Sequence, residues 1–119
     1  VSNGQNLTKI EGYKRILERD VSDSLYIKLH INIADEYIFN NPDSSEFYTR
    51  KALDRATASK DSLMMAKAEN FLGIINYSKG YSLTALEHYQ KSQNICRSIG
   101  DNSGAVKAAN NIAIVYTNM

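Results

Sequence analysis

Three lysines, Lys28, Lys67 and Lys107, stand 39 and 40 residues apart, and three positions after them come Ile31, Asn70 and Asn110. Seven positions on are Asp35, Ile74 and Ile114, and ten on are Ile38, Tyr77 and Thr117. On a helix these steps keep the side chains on one face. The chemistry of such a face is recognition. Ammonium groups attract carboxylates as compact point charges, and an amide offers a donor and an acceptor to a peptide backbone at once. Aliphatic and tyrosine surface between them can hold apolar side chains. The candidate site is therefore a face suited to an extended peptide, made of Lys28, Ile31, Asp35, Lys67, Asn70, Ile74, Tyr77, Lys107, Asn110 and Ile114. A single lysine of this kind is ordinarily a solvated surface charge. Its recurrence at one position in three copies raises the set above that reading.

Nothing else in the chain has the makings of catalysis. His30 and His88 lie in different segments without the short-spaced partners that a metal or catalytic site would show, and both read as surface or boundary histidines. Cys96, the single cysteine, leaves no internal disulfide and reads as a small core residue. Of the eight tyrosines, Tyr13, Tyr37, Tyr89 and Tyr116 fall on packing stripes, so Tyr77 and Tyr81 are the ones suited to a ligand. No phosphate-binding glycine loop is present, nor a nucleophile with an evident base. The expectation is no enzyme, no cofactor and no metal. Asn6-Leu7-Thr8 and Asn76-Tyr77-Ser78 match the glycosylation pattern, which recurs often by chance.

The elements that position these residues are repeated. Ala108 to Tyr116 (AANNIAIVY) restates Ala68 to Tyr77 (AENFLGIINY), and Leu29 to Tyr37 (LHINIADEY) is a weaker earlier copy. A period in the range of 20–50 residues marks a stacked-repeat protein, because one helical hairpin cannot bury its own apolar face. With one proline and six glycines in 119 residues, little interrupts helix formation, and the chain reads as all-α. Six helices are expected: a lone second helix over 7–19, one hairpin over 23–58, another over 62–99, and a lone first helix over 102–118. Asn41-Pro42 stops the second of these helices, and Asp43 with Glu46 reads as a capping box opening the third. Asp61 or Ser62 caps the fourth, Gly100 ends the fifth in the left-handed conformation, and Asp101 caps the sixth. Asn76, where the other copies have tyrosine, and Ser45, where the later hairpin has Ala85, are the irregular positions; a polar Asn76 on the packing side needs partners.

Composition narrows the partner. Fourteen basic and thirteen acidic side chains, scattered along the chain, give a net charge of +1, which is no footprint for nucleic acid or an anionic membrane. No basic recognition helix stands out, and no stretch approaches the roughly 20 apolar residues needed to span a bilayer. The first residue is Val1, so a processed product or an excised piece is expected. Hairpins cut at both ends leave apolar surface open.

Leu72-Gly73, Gly80, Ala85, Tyr89 and Ser92 stand at the spacing of the tetratricopeptide repeat, whose usual length is about 34 residues. The longer interval here, with Ile99-Gly100-Asp101 before the next hairpin, resembles the long-repeat subgroup. The resemblance covers residues 22–119. It implies a right-handed α-α superhelix whose first helices line a concave groove that binds a peptide or protein. Asn41-Pro42-Asp43, Phe47-Tyr48 and Lys51-Ala52-Leu53 further resemble the input regions of bacterial membrane-anchored signalling proteins, which implies a scaffold or sensor role and leans to the periplasm, composition alone fitting the cytoplasm as well. The second reading is a structural element that self-associates end to end through its open terminal faces.

Overall fold

The computed structural model describes residues 7–119; Asn6 of the first glycosylation-type triplet lies outside them. Six helices follow in order: α1 (Leu7–Leu17), α2 (Asp23–Tyr37), α3 (Pro42–Ala58), α4 (Ser62–Ser78), α5 (Ser82–Ser98) and α6 (Asn102–Thr117). No strand occurs among the described residues. Each helix packs on the next, and α4 also touches α6.

Three of the five turns are the same device. Lys60, Gly80 and Gly100, 20 residues apart, are left-handed, with φ of 59°, 87° and 73°. The residue after each closes the preceding helix: Asp61, Tyr81 and Asp101 donate their N–H groups to the carbonyls of Ala56, Asn76 and Cys96 at 2.8, 2.9 and 2.8 Å. Lys60, Gly80 and Gly100 donate to Thr57, Tyr77 and Arg97. Paired bonds of this kind satisfy the carbonyls left over at a helix end. The same Asp61, Tyr81 and Asp101 are the N-caps of the following helices, and the two aspartates accept from the N–H groups of Met64 and Gly104. One residue thus ends one helix and starts the next.

The turn between α2 and α3 is built otherwise. It has no left-handed residue, and the stretch from Lys28 to the N-cap Asn41 is one residue shorter than that from Lys67 to the N-cap Tyr81, which accounts for the 39-residue interval. The capping box expected at Asp43 and Glu46 is not formed. Asn41 is the N-cap, accepting from the Ser44 N–H, and Pro42 opens α3. Proline lacks only a donor that the first helical position does not need, so the residue that stops one helix begins the next. Asp43 and Glu46 instead receive Lys79 Nζ at 2.7 and 3.0 Å, tying the start of α3 to the end of α4. Burial pushes the Glu46 carboxyl up, but hydrogen bonds from Lys79 and Arg50 outweigh it and hold the group below its ordinary range.

Burial is distributed over small clusters. Ile27, Ala52 and Ala56 pack with Ile31, Met64 and Met65; Ile38, Leu72 and Ile75 pack with Leu53, Phe71 and Ile74; Ala85, Leu86, Tyr89 and Val115 pack with Ile74, Tyr77 and Ile112. Within hairpins the close approach is set by small residues and hydroxyls. Ser45 Oγ donates to the Ala34 carbonyl at 2.7 Å and Ser92 Oγ to the Ala66 carbonyl at 2.8 Å. Asn76, the other irregular position, donates to the Leu72 carbonyl one turn back and is buried, so the second glycosylation-type triplet sits inside a helix. A Cβ at Gly73 would run into the Tyr89 ring, whereas the matching positions in the first hairpin carry Ala34 and Thr49.

His30 is less exposed than expected, while His88 is half-buried at the boundary. His30 is buried and donates Nδ1–H to the Tyr26 carbonyl, and burial pushes its imidazole below the ordinary value. His88 Nδ1–H meets Glu69 Oε1 at 2.8 Å between α5 and α4. Tyr116, expected on a packing stripe with Ile112 and Val115, is exposed, while Val115 is buried.

Two stability measurements follow. Lys60→Gly relieves a side chain held in the left-handed region and raises stability by about 0.5–1 kcal/mol, read as a higher urea midpoint at unchanged slope. Gly73→Ala forces the Tyr89 ring from its place and costs about 1–3 kcal/mol, read as a lower one.

Candidate functional site

The α4 stripe Leu63, Lys67, Asn70 and Ile74 follows the 4, 3, 4 residue steps of one helix face. Placed between α2 and α6, this face forms one wall of a cleft of about 570 Å³. Ile31 reaches it from α2, Cys96 and Ser92 from α5, and Asp101, Ser103, Gly104 and Lys107 from the start of α6. Ile31, Phe71 and Ile74 give it an apolar floor whose outer atoms are shared with the clusters beneath.

Five of the ten expected site residues therefore meet: Ile31, Lys67, Asn70, Ile74 and Lys107. The other five do not line the cleft. Lys28 and Asp35 are exposed on α2, and Asn110 and Ile114 are exposed on α6. Tyr77 is drawn inward against Ala85, Leu86, Tyr89 and Val115, and its hydroxyl oxygen accepts from Asn118 Nδ2 at 2.6 Å. The ladder of three lysines is thus a pair, Lys67 and Lys107, at this cleft.

The polar groups are partly committed. Asn70 Oδ1 accepts from Asn111 Nδ2 at 3.0 Å, a bond between α4 and α6 that fixes the amide at the cleft wall. Asp101 Oδ1 accepts from the Gly104 N–H, so this carboxylate is held at the positive end of α6. With Lys67 and Lys107 the cleft carries two positive charges and one negative beside its apolar floor. Among the described residues no cluster of three or more His, Cys, Asp or Glu could hold a metal ion.

Leu63, Phe71, Asp101 and Ser103 are not among the site residues expected from the sequence, where Asp101 reads as a helix cap. Leu63 was recoverable, since it precedes Lys67 by four residues on the same stripe. Phe71 shares the apolar face of α4, and nothing in its spacing separates a core phenylalanine from one at a cleft. No family model, curated protein or solved structure matches the chain.

Cys96 lines the cleft yet is only 2% exposed. Burial, and then the Asp101 carboxylate beside it, push the thiol up, against a hydrogen bond with Ser92 that pulls the other way. Thiolate is the reacting form. A disulfide reagent at pH 7.5 is therefore expected to modify Cys96 slowly in the native chain and at once in urea; equal rates in the two would show that the cleft floor is open.

Proposed function

We propose that the chain is a non-enzymatic protein-interaction module of tetratricopeptide type, a curved stack of hairpins whose cleft between α2, α4 and α6 holds an extended segment of a protein or peptide. The observation that carries this reading is the convergence of Ile31, Lys67, Asn70, Ile74 and Lys107, drawn from three copies of one helix face, on a single cleft. A segment lying across the three helices meets aliphatic, amide and ammonium groups in turn, Ile31 on α2, Lys67, Asn70 and Ile74 on α4, and Lys107 on α6.

The preferred ligand has a large aliphatic or aromatic side chain beside an aspartate, a glutamate or a terminal carboxylate. Its apolar part covers Ile31, Phe71 and Ile74, and its carboxylate lies between Lys67 and Lys107. Rim charges of this sort mainly govern association and salt dependence, and the apolar anchor holds the complex.

Screening a random peptide library on the immobilised chain, then measuring the selected peptides with Lys67→Ala/Lys107→Ala, tests this. The selected sequences are expected to be acidic and apolar. The double variant is expected to keep the helical circular dichroism spectrum, weaken binding about tenfold or more, and flatten the dependence on salt. Binding that survives the double substitution unchanged would remove the cleft from the mechanism.

A further inference from the structure

The joints between successive hairpins are not packed alike. Where the first hairpin meets α4, Ile27, Ala52 and Ala56 are buried with Ile31, Met64 and Met65 against them. One repeat later the matching positions are Ala66, Ser92, Cys96, Asn70, Gly104 and Ala105. Four large apolar side chains give way to alanine, asparagine, glycine and alanine, while Ser92 and Cys96 each add a single atom to the alanines they replace. All of these later residues except Ala105 line the cleft between α2, α4 and α6. The inner part of the cleft is thus the second copy of an apolar cluster, emptied of the side chains that fill the first.

We propose that this space is a specificity pocket for one long, unbranched apolar side chain of the bound segment, a methionine or a residue of its shape, which takes the place that Met64 takes in the earlier joint. The inference rests on the cleft being the peptide site, and adds which side chain that site reads. The protein does not fill the space itself. A Cβ at Gly104 would run into the Asp101 carboxylate and the Cys96 sulfur, so no side chain grows from the position that matches Met64. The polar atoms of the wall are already engaged: Ser92 Oγ donates to the Ala66 carbonyl at 2.8 Å, and Asp101 Oδ1 accepts from the Gly104 N–H at 3.0 Å. An apolar guest therefore leaves no polar group stranded, and it restores contacts that a void withholds. Ser92 and Cys96 belong to α5, behind the two helices of the mouth, so length is needed to reach them. A flexible thioether or alkyl chain follows an irregular gap of this kind, whereas a β-branched residue is stiff at its first torsion and shorter. A planar ring cannot bend around the Asp101 carboxylate and Cys96 sulfur that close the Gly104 side. Lys67 and Lys107 also line the cleft, and among the described residues neither has an ion-pair partner. Charge complementarity thus places acidic residues on either side of the inserted one.

The test measures fluorescein-labelled peptides Gly-Glu-Xaa-Glu-Gly on the intact chain by fluorescence anisotropy, with methionine, norleucine, phenylalanine, valine or alanine in the middle. Methionine and norleucine are expected to bind at least tenfold more tightly than alanine, and several-fold more tightly than phenylalanine and valine. Ala66→Ile puts into α4 the residue that α2 carries at the matching position, Ile27. It is expected to raise the urea midpoint and to weaken the methionine peptide at least tenfold. A gain in stability together with a loss of binding separates filling of the pocket from damage to the fold. Should the variant unfold, the order of the five peptides decides alone. Equal binding across the panel, or methionine binding untouched by a folded Ala66→Ile, would overturn the pocket. If that binding is still lost in Lys67→Ala/Lys107→Ala, the cleft stands as the peptide site and only the pocket falls. Binding by none of the five peptides overturns both.

Discussion

A left-handed residue followed at once by an N-cap is the constraint on which the structure rests. The left-handed residue reverses the chain and lets the next N–H close the helix behind it; the capping residue then opens the helix ahead. At positions 60, 80 and 100 the device recurs with three residues between one helix and the next. It therefore sets helix length, turn length and the phase of every side chain together. Lysines and aliphatic residues 40 apart in sequence come to equivalent places because of it. Glycine is the residue with least objection to this conformation, and Lys60 shows that the geometry is imposed even where the residue resists it.

Packing is then a negotiation over small differences between near-identical hairpins. His30 meets an aromatic neighbour, Tyr48, at 6.0 Å between ring centroids, where Glu69 meets a hydrogen-bonding one, His88, at 2.8 Å. Gly73 with Tyr89 replaces Ala34 with Thr49, a trade of bulk across one interface. Such paired substitutions let each hairpin close while giving it a distinct shape, and close packing makes single changes felt. The cleft inherits this: its apolar floor is the outer side of the clusters that hold the hairpins together, and Asn70 at its wall is fixed by a bond to the following helix.

The six helices were legible in the sequence because their apolar spacing and punctuation agree, with Gly80, Gly100, Asp61 and Asp101 at the expected ends. Asp43 misled because an acidic residue followed three positions later by another has two uses. It can cap its own helix or reach a lysine from elsewhere, and only the tertiary position of Lys79 decides between them. For the cleft, the shared helix face of Lys67, Asn70 and Ile74 was readable, but which helices curve toward it was not. Lys28 and Tyr77 obey the same arithmetic as their counterparts and stand elsewhere because the neighbours that cover or uncover them differ. The spacing of Tyr116 predicts a packing residue, yet spacing reports the face of a helix and says nothing of whether that face is covered.

The division of the interior into clusters, each shared by helices close in sequence, also bears on how the chain reaches its structure. Every cluster can assemble after closing loops of about 20–40 residues, and the entropy of closure grows only slowly with length. Contacts so local put the protein among fast-folding topologies, on the scale of microseconds to milliseconds. A nucleus can start at any hairpin and spread to its neighbours. Local opening is accordingly expected to come more readily at α1 and α6 than at α4, which is held between α3 and α5.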